Sequence, residues 1–166
     1  AWPLPKIFRL TAKGKLIEGI FAGETINTPS MLANEDYLVA LKWAKSIGGL
    51  PALIARATAN AKVVHDFCAQ NPWIANLAED PATASTTSVC LKFTDPRITD
   101  GEAFAKAVAK RIEKAGAGFD MGAYRDAPPG LRIWCGSTVE TSDVQDLMPW
   151  IAHAFKVEIA ALAQAA

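Results

Sequence analysis

The 166-residue sequence has no excess of charge of either sign: 17 basic side chains stand against 17 acidic ones, a formal net charge of zero. The clustered basic charge of a nucleic-acid binder is therefore missing, and no Lys/Arg run suggests attachment to a membrane surface. Cysteine is scarce. Cys68, Cys90 and Cys135 are odd in number with no close pair, which argues against a disulfide scaffold and against a Cys-x-x-Cys metal or redox site. They read as small buried hydrophobes in a reducing cytosol. Charges or prolines break every apolar run well short of the ~20 residues of a spanning helix, and no basic-plus-apolar leader opens the sequence. The expectation is a soluble, cytoplasmic protein with no nucleic-acid or membrane partner.

The usual catalytic sets are also lacking. There is no Gly-x-Ser-x-Gly, no phosphate-cradling Walker loop and no Gly-x-Gly-x-x-Gly. Only two histidines occur. His65 has Cys68 three residues on but no third ligand nearby, and His153 has no such neighbour, so both read as surface or boundary residues and no metal site is expected. Glu79-Asp80 and Asp143/Asp146 read as loop and helix-start charges rather than an acid/base dyad.

What is present is 51% hydrophobic residues in a chain long enough to bury roughly 70% of its unfolded surface. Residues 1 to 27 mix Trp2, Phe8, Leu10, Ile17, Ile20 and Phe21 with glycine and proline without a sustained period, with a short strand expected over Lys6–Thr11 and a turn at Ala12-Lys13-Gly14-Lys15. A helix is predicted from Thr28, its stripe Leu32, Val39, Ala40, Trp43, Ala44 and Ile47, stopping at Gly48-Gly49. A second should start near Pro51 and end at Asn71-Pro72, with Leu53, Ala57, Ala61, Val64 and Cys68 on one face. Alternation predicts a strand over Thr87–Thr94. Asp100 should cap a third helix bearing Phe104, Val108 and Ile112, which Gly116 closes. Phe119–Tyr124 and Leu131–Cys135 are strand candidates around the turn Ala127-Pro128-Pro129-Gly130. A last helix should start at Ser142 through a Ser-x-x-Gln capping box with Gln145, and Pro149 should kink or delay it. From about residue 73 the order is strand, helix, strand, strand, helix, a small α/β sandwich joined through two longer helices to an N-terminal piece without a core of its own.

Two places could hold an anion. In Asn27-Thr28-Pro29, a Thr cap followed by Pro at the first helical position aims free N–H groups, a hydroxyl and the positive helix end at one small volume, which suits a phosphate. An ordinary cap without a ligand is the alternative. In Leu131-Arg132-Ile133-Trp134, alternation throws Arg132 to the face opposite Leu131 and Ile133. Arg125 lies across the Pro-Pro-Gly turn, which can hold both guanidiniums near one cleft for a carboxylate or phosphate. Two surface arginines, or an internal salt bridge with Asp126 or Glu140, are the alternative.

Longer strings carry a family likeness. Gly23-Glu24-Thr25-Ile26-Asn27-Thr28-Pro29-Ser30-Met31, Leu41-Lys42-Trp43, Gly48-Gly49-Leu50, Ala78-Glu79-Asp80-Pro81-Ala82-Thr83 and the run from Asp120 to Trp134 resemble the phosphoserine aminotransferase family, in its C-terminal portion only. The resemblance implies an α/β fold: the small C-terminal sandwich domain of a fold-type I, class V pyridoxal-phosphate enzyme. Residues 1–48 would be a remnant of the large cofactor-binding domain, and residues 49–166 the linking helix and small domain. It implies a homodimeric enzyme exchanging an amino group between glutamate/2-oxoglutarate and 3-phosphohydroxypyruvate/O-phosphoserine in serine biosynthesis. Asn27 and Thr28 would reach the cofactor phosphate of the other subunit. Arg132 would hold the substrate α-carboxylate and Arg125 the substrate phosphate, with Tyr124 where many relatives carry His. The Schiff-base lysine would lie upstream of Ala1, so the 166-residue chain by itself is expected to be inactive. Another class V aminotransferase, or a stand-alone anion-binding α/β module, are the competing readings.

Overall fold

A computed structural model describes residues 4–165; Trp2, part of the apolar opening stretch, lies outside the described residues. The chain divides into two compact units, Ala1–Ile47 and Gly48–Ala166.

In the first unit, a 3-10 turn at Lys6–Phe8 replaces the strand expected over Lys6–Thr11. The strands are only Thr11–Ala12 (β1) and Lys15–Leu16 (β2), paired antiparallel with Thr11 opposite Leu16. The turn falls where the sequence placed it. Lys13 and Gly14 both adopt positive φ, 50° and 75°, as a two-residue type I′ hairpin turn requires. A second 3-10 stretch covers Glu18–Ala22. Helix α1 spans Met31–Ser46, and its cap is Ser30, whose hydroxyl accepts from the Ala33 N–H at 3.4 Å. The helix therefore starts later than Thr28. Asn27-Thr28-Pro29-Ser30 offers two hydroxyls within three positions, and the one that reaches the first turn is the second. No residue of α1 is buried, and the expected stripe faces no core here: Leu32, Val39 and Trp43 are all exposed.

The second unit begins with Gly48 at φ 113°, leading into α2, Gly49–Gln70. Pro51 is its third residue rather than its first, still within the opening turn where a missing N–H costs nothing. Asn71 ends α2 as expected. The strands are Ile74–Asn76 (β3), Ser88–Phe93 (β4) and Leu131–Trp134 (β5), forming an antiparallel sheet in the order β3-β4-β5. Sequence alternation shows β4 but not the three-residue β3. Asp100 caps α3 (Gly101–Lys114) by accepting from the Ala103 N–H at 2.9 Å, and Gly116 closes it at φ 71°. Helix α4 runs Thr141–Ala165, one residue ahead of the expected Ser142. Pro149 does not delay it. An interior proline costs about 3 kcal/mol, and the burial of Val144, Met148, Ile151, Phe155 and Ile159 along the same helix outweighs it at about 1.5–3 kcal/mol per large side chain.

All three helices pack on one face of the sheet. Val89 and Leu91 of β4, Leu131 and Ile133 of β5, Ile74, Phe104, Val108, Ile112, Ile151 and Phe155 form one core, joined from α2 by Ala61 and Val64. Helix α2 is thus a member of this core, more than a linker. Trp73 stacks on Phe155 at 3.9 Å between centroids. Of the cysteines only Cys135 is fully buried. Cys68 and Cys90 are half-buried, Cys90 because it stands on the outer face of β4 beside Arg132.

The buried polar side chain Asn60 ties α2 to the chain leaving β5. Its amide donates to the carbonyls of Cys135, Gly136 and Val139 at 3.0–3.3 Å and accepts from the Thr141 hydroxyl at 2.6 Å. One turn earlier Arg56 donates to Ser137 O at 2.7 Å and pairs with Glu140 at 2.6 Å. The segment between β5 and α4 is therefore held by side chains rather than by regular structure, and this fixes the end of the strand that carries Arg132.

Candidate functional site

The pleat of β5 decides where Arg132 goes. Leu131 and Ile133 turn into the core, so Arg132 rises from the opposite face, directly across from Cys90. That face would be open but for the chain that follows α3. Residues 118–122 fold back along β5, where the Arg132 N–H donates to Met121 O at 2.8 Å and Gly122 forms a single bridge with Leu131. The strand expected over Phe119–Tyr124 is reduced to that bridge, because Asp120 takes a left-handed φ of 52° and breaks the extended run.

This return places two partners on the guanidinium. The Asp120 carboxylate accepts from Arg132 Nη2 at 2.8 Å, with the Asp120 carbonyl 3.5 Å away. The guanidinium carbon lies 4.7 Å from the centre of the Tyr124 ring, within cation–π range. The Arg132 side chain is 22% exposed, yet its Nε is buried with no hydrogen-bond partner. A buried unpaired donor carries a desolvation cost of about 1–3 kcal/mol, so the fork is not saturated by the protein. The ion pairs weighed from sequence do not form: Glu140 is taken by Arg56, and Arg132 takes Asp120.

Arg132, Asp120, Phe119, Trp134, Ser88 and Leu147 line a hollow of about 340 Å³. Tyr124 and Arg125 line another, of about 1110 Å³, against Glu102, Lys106 and Lys110 of α3. The two hollows share the wall Gly118–Met121. The expectation that both arginines converge on one cleft is therefore corrected: they occupy adjoining hollows with Tyr124 between them. The direction of Arg132 is set by the strand pleat, whereas Arg125 stands on irregular chain before the Pro-Pro-Gly turn and lines the hollow against α3.

Gly130 explains the spelling of that turn. A Cβ built there would sit 1.8 Å from the Leu91 carbonyl oxygen of β4, so only glycine lets the chain enter β5 at this depth.

Asn27 and Thr28 are exposed. Neither is the cap of α1, which corrects the helix-terminus geometry expected for them, but among the described residues neither side chain makes a hydrogen bond. Their amide and hydroxyl are donors suited to a phosphate oxygen, so they fit one end of a pyridoxal-phosphate cofactor. Among the described residues the lysines are exposed except Lys92, which pairs with Glu79 at 3.8 Å.

His65 is half-buried, its Nδ1 3.3 Å from Asn76 Nδ2, and His153 is exposed. No three metal-ligating side chains cluster among the described residues, and among them no single helix is long and apolar enough to cross a membrane. Sequence patterns missed Asp120, Phe119 and Trp134 as walls of the Arg132 hollow. The only signal for Asp120 was that Asp, like Asn, tolerates a left-handed backbone.

The chain matches two curated phosphoserine aminotransferases. It is 54% identical over 159 residues to that of Methanosarcina barkeri and 53% identical over 155 residues to that of Methanosarcina mazei, covering 95% and 93% of itself but 41% and 40% of those proteins. The chain thus spans about two fifths of the length of the curated relatives it matches. Among solved structures, a phosphoserine aminotransferase studied for radiation damage of its Schiff base superposes with a TM-score of 0.70 at 17% identity, over 83% of this chain and 36% of the other. The enzyme from Bacillus circulans subsp. alkalophilus superposes at 0.68 with 20% identity, over 79% of this chain and 34% of its own. No protein-family model matches the chain. The resemblance carried by the sequence strings thus extends over nearly the whole chain, and the fold is that of a partial α/β domain of phosphoserine aminotransferases.

Proposed function

We propose that this chain, similar over nearly its whole length to phosphoserine aminotransferases, is the substrate-gripping part of such an enzyme: a homodimeric, cytoplasmic, pyridoxal-phosphate-dependent transaminase of serine biosynthesis. The whole enzyme would move an amino group between glutamate/2-oxoglutarate and O-phosphoserine/3-phosphohydroxypyruvate. Residues 1–48 would belong to its large domain and residues 49–166 to its small domain. The observation that carries this reading is Arg132: a mostly buried guanidinium on a strand face, its Nε unpaired and its Nη2 held by Asp120 through an exposed carboxylate and, at 3.5 Å, the backbone carbonyl.

Arg132 meets the α-carboxylate common to all four substrates. A guanidinium fork binds a carboxylate in a fixed plane, so gripping that end fixes the direction of the bonds at the α-carbon. Phe119 and Trp134, both exposed at the rim, form apolar walls that would exclude water once the hollow is covered. Arg125, in the adjoining hollow, meets the phosphate of the phosphorylated pair, with Tyr124 between the two grips. Asn27 and Thr28 would hold the cofactor phosphate across the dimer. When bound, the cofactor supplies the electron sink that lets charge develop at the α-carbon. Because the Schiff-base lysine that the resemblance implies has no match among these residues, the 166-residue chain by itself would bind substrate ends without turning them over.

Substitution in the whole enzyme tests the assignment. Arg132→Ala should raise KM for glutamate and O-phosphoserine alike, by about thirtyfold or more, since losing one member of a desolvated charge pair costs about 2 kcal/mol or more. Arg125→Ala should impair O-phosphoserine far more than glutamate. Equal losses for the two substrates in Arg125→Ala would overturn its role.

A further inference from the structure

We propose that Asp120 is a built-in competitor for the Arg132 grip: its carboxylate holds the guanidinium when no substrate is bound and is displaced by the substrate carboxylate, so that binding exchanges one ion pair for another. The inference rests on the reading of Arg132 as the carboxylate grip and adds to it a residue that sets how tightly the grip closes.

Three observations carry it. The first is which nitrogen Asp120 takes. Nη2 belongs to both edges on which a guanidinium can bind a carboxylate in bidentate fashion, and Asp120 stands on it at 2.8 Å. Nη2 carries one N–H on each of those edges, so Asp120 contests one edge directly and its charge opposes a ligand carboxylate approaching the other. The second is the asymmetry of the pair. Arg132 is 22% exposed and Asp120 90% exposed, so Asp120 approaches from the solvent side, by the route a ligand takes, and can turn away into water without breaking any packing.

The third is how Asp120 is presented. Its neighbour Met121 is pinned by the Arg132 N–H at 2.8 Å, while Asp120 itself adopts a left-handed φ of 52°. The backbone therefore fixes the root of the side chain beside the guanidinium while leaving its tip free. Asp120 also lines both hollows, so its departure widens the smaller one. The unpaired Nε indicates that Asp120 alone does not satisfy the fork, as a placeholder would not.

The test uses the whole enzyme with glutamate and O-phosphoserine. Asp120→Asn keeps the size of the side chain and its tolerance of a left-handed backbone but removes the charge. KM for both substrates should fall about two- to fivefold, the range expected when an exposed ion pair no longer competes, and kcat/KM should rise, the more so at low salt. Asp120→Gly, which suits the same φ, should act in the same direction. In an Arg132→Met background the fall should vanish, because no cation remains there for Asp120 to hold. If Arg132→Met raises KM while Asp120→Asn and Asp120→Gly leave it unchanged or raise it, Asp120 supports the site without competing and this proposal is overturned. If Arg132→Met leaves KM for both substrates unaltered, the carboxylate grip beneath the proposal fails instead.

Discussion

Gly130→Ala tests how the turn and the sheet together place Arg132. The added Cβ would lie 1.8 Å from Leu91 O and 3.0 Å from Leu91 C, whereas real Cβ contacts essentially never fall below 3.0 Å. The obstacle is the backbone of β4, the middle strand, paired on its other side with β3 through Asn76 and Leu91. No side chain can swing aside, so the start of β5 must retreat by more than an ångström. Leu131, 1% exposed, would lose its pairing with Leu91, and the Arg132 N–H its bond to Met121. Two hydrogen bonds at about 1 kcal/mol each and partial exposure of one leucine make the cost about 3–4 kcal/mol. Urea unfolding of the 166-residue chain followed by tryptophan fluorescence should read that loss, and thermal unfolding should show Tm lower by roughly 6–16 °C. In the whole enzyme the same change should raise KM for both substrates, because Arg132 moves with its strand. Gly14→Ala is the control, since its Cβ meets open space at φ 75° and costs only the left-handed strain of about 1 kcal/mol. A Gly130→Ala protein within 1 kcal/mol of the parent would show that the close approach to Leu91 O does not constrain the strand.

Two further outcomes follow from the buried groups. Asn60→Ala strands three carbonyls and the Thr141 hydroxyl at once, and should cost about 2–4 kcal/mol against about 1 for Thr141→Val; equal costs by urea unfolding would remove Asn60 as the tie between α2 and the β5–α4 segment. Burial pushes the Cys68 and Cys135 thiols up to about 11, so at pH 8 both stay protonated and poorly nucleophilic. With a thiol reagent at that pH, Cys135 should label only as fast as the protein unfolds; rapid native labelling of Cys135 would contradict its burial.

Local chemistry wrote much of the fold. Asp100 and Gly116 bound α3, alternation marked β4 and β5, and Lys13-Gly14 specified a hairpin turn, because caps, pleats and tight turns depend on residues a few positions apart. Where two local solutions compete, the sequence does not choose between them. Thr28 and Ser30 both offer a cap hydroxyl, and only the folded backbone shows that Ser30 reaches Ala33. Three-residue β3 carries too little pattern to be seen, and exists because β4 offers it an edge. Pro149, which locally argues for a break, is overridden by the core that the rest of α4 helps to build.

The site divides along the same line. Alternation in Leu131-Arg132-Ile133 by itself dictated that Arg132 leaves the core face, since the pleat has a period of two, and the strings around it were enough to show the family likeness. That Asp120 meets Arg132 twelve residues away, that Tyr124 covers the guanidinium, and that Arg125 opens into a neighbouring hollow were decided only by tertiary structure. Those contacts depend on the path by which the chain after α3 returns along β5, and that path is set by Gly130 fitting against Leu91 and by the Met121 carbonyl finding the Arg132 N–H. Neither event leaves a periodic trace in the sequence.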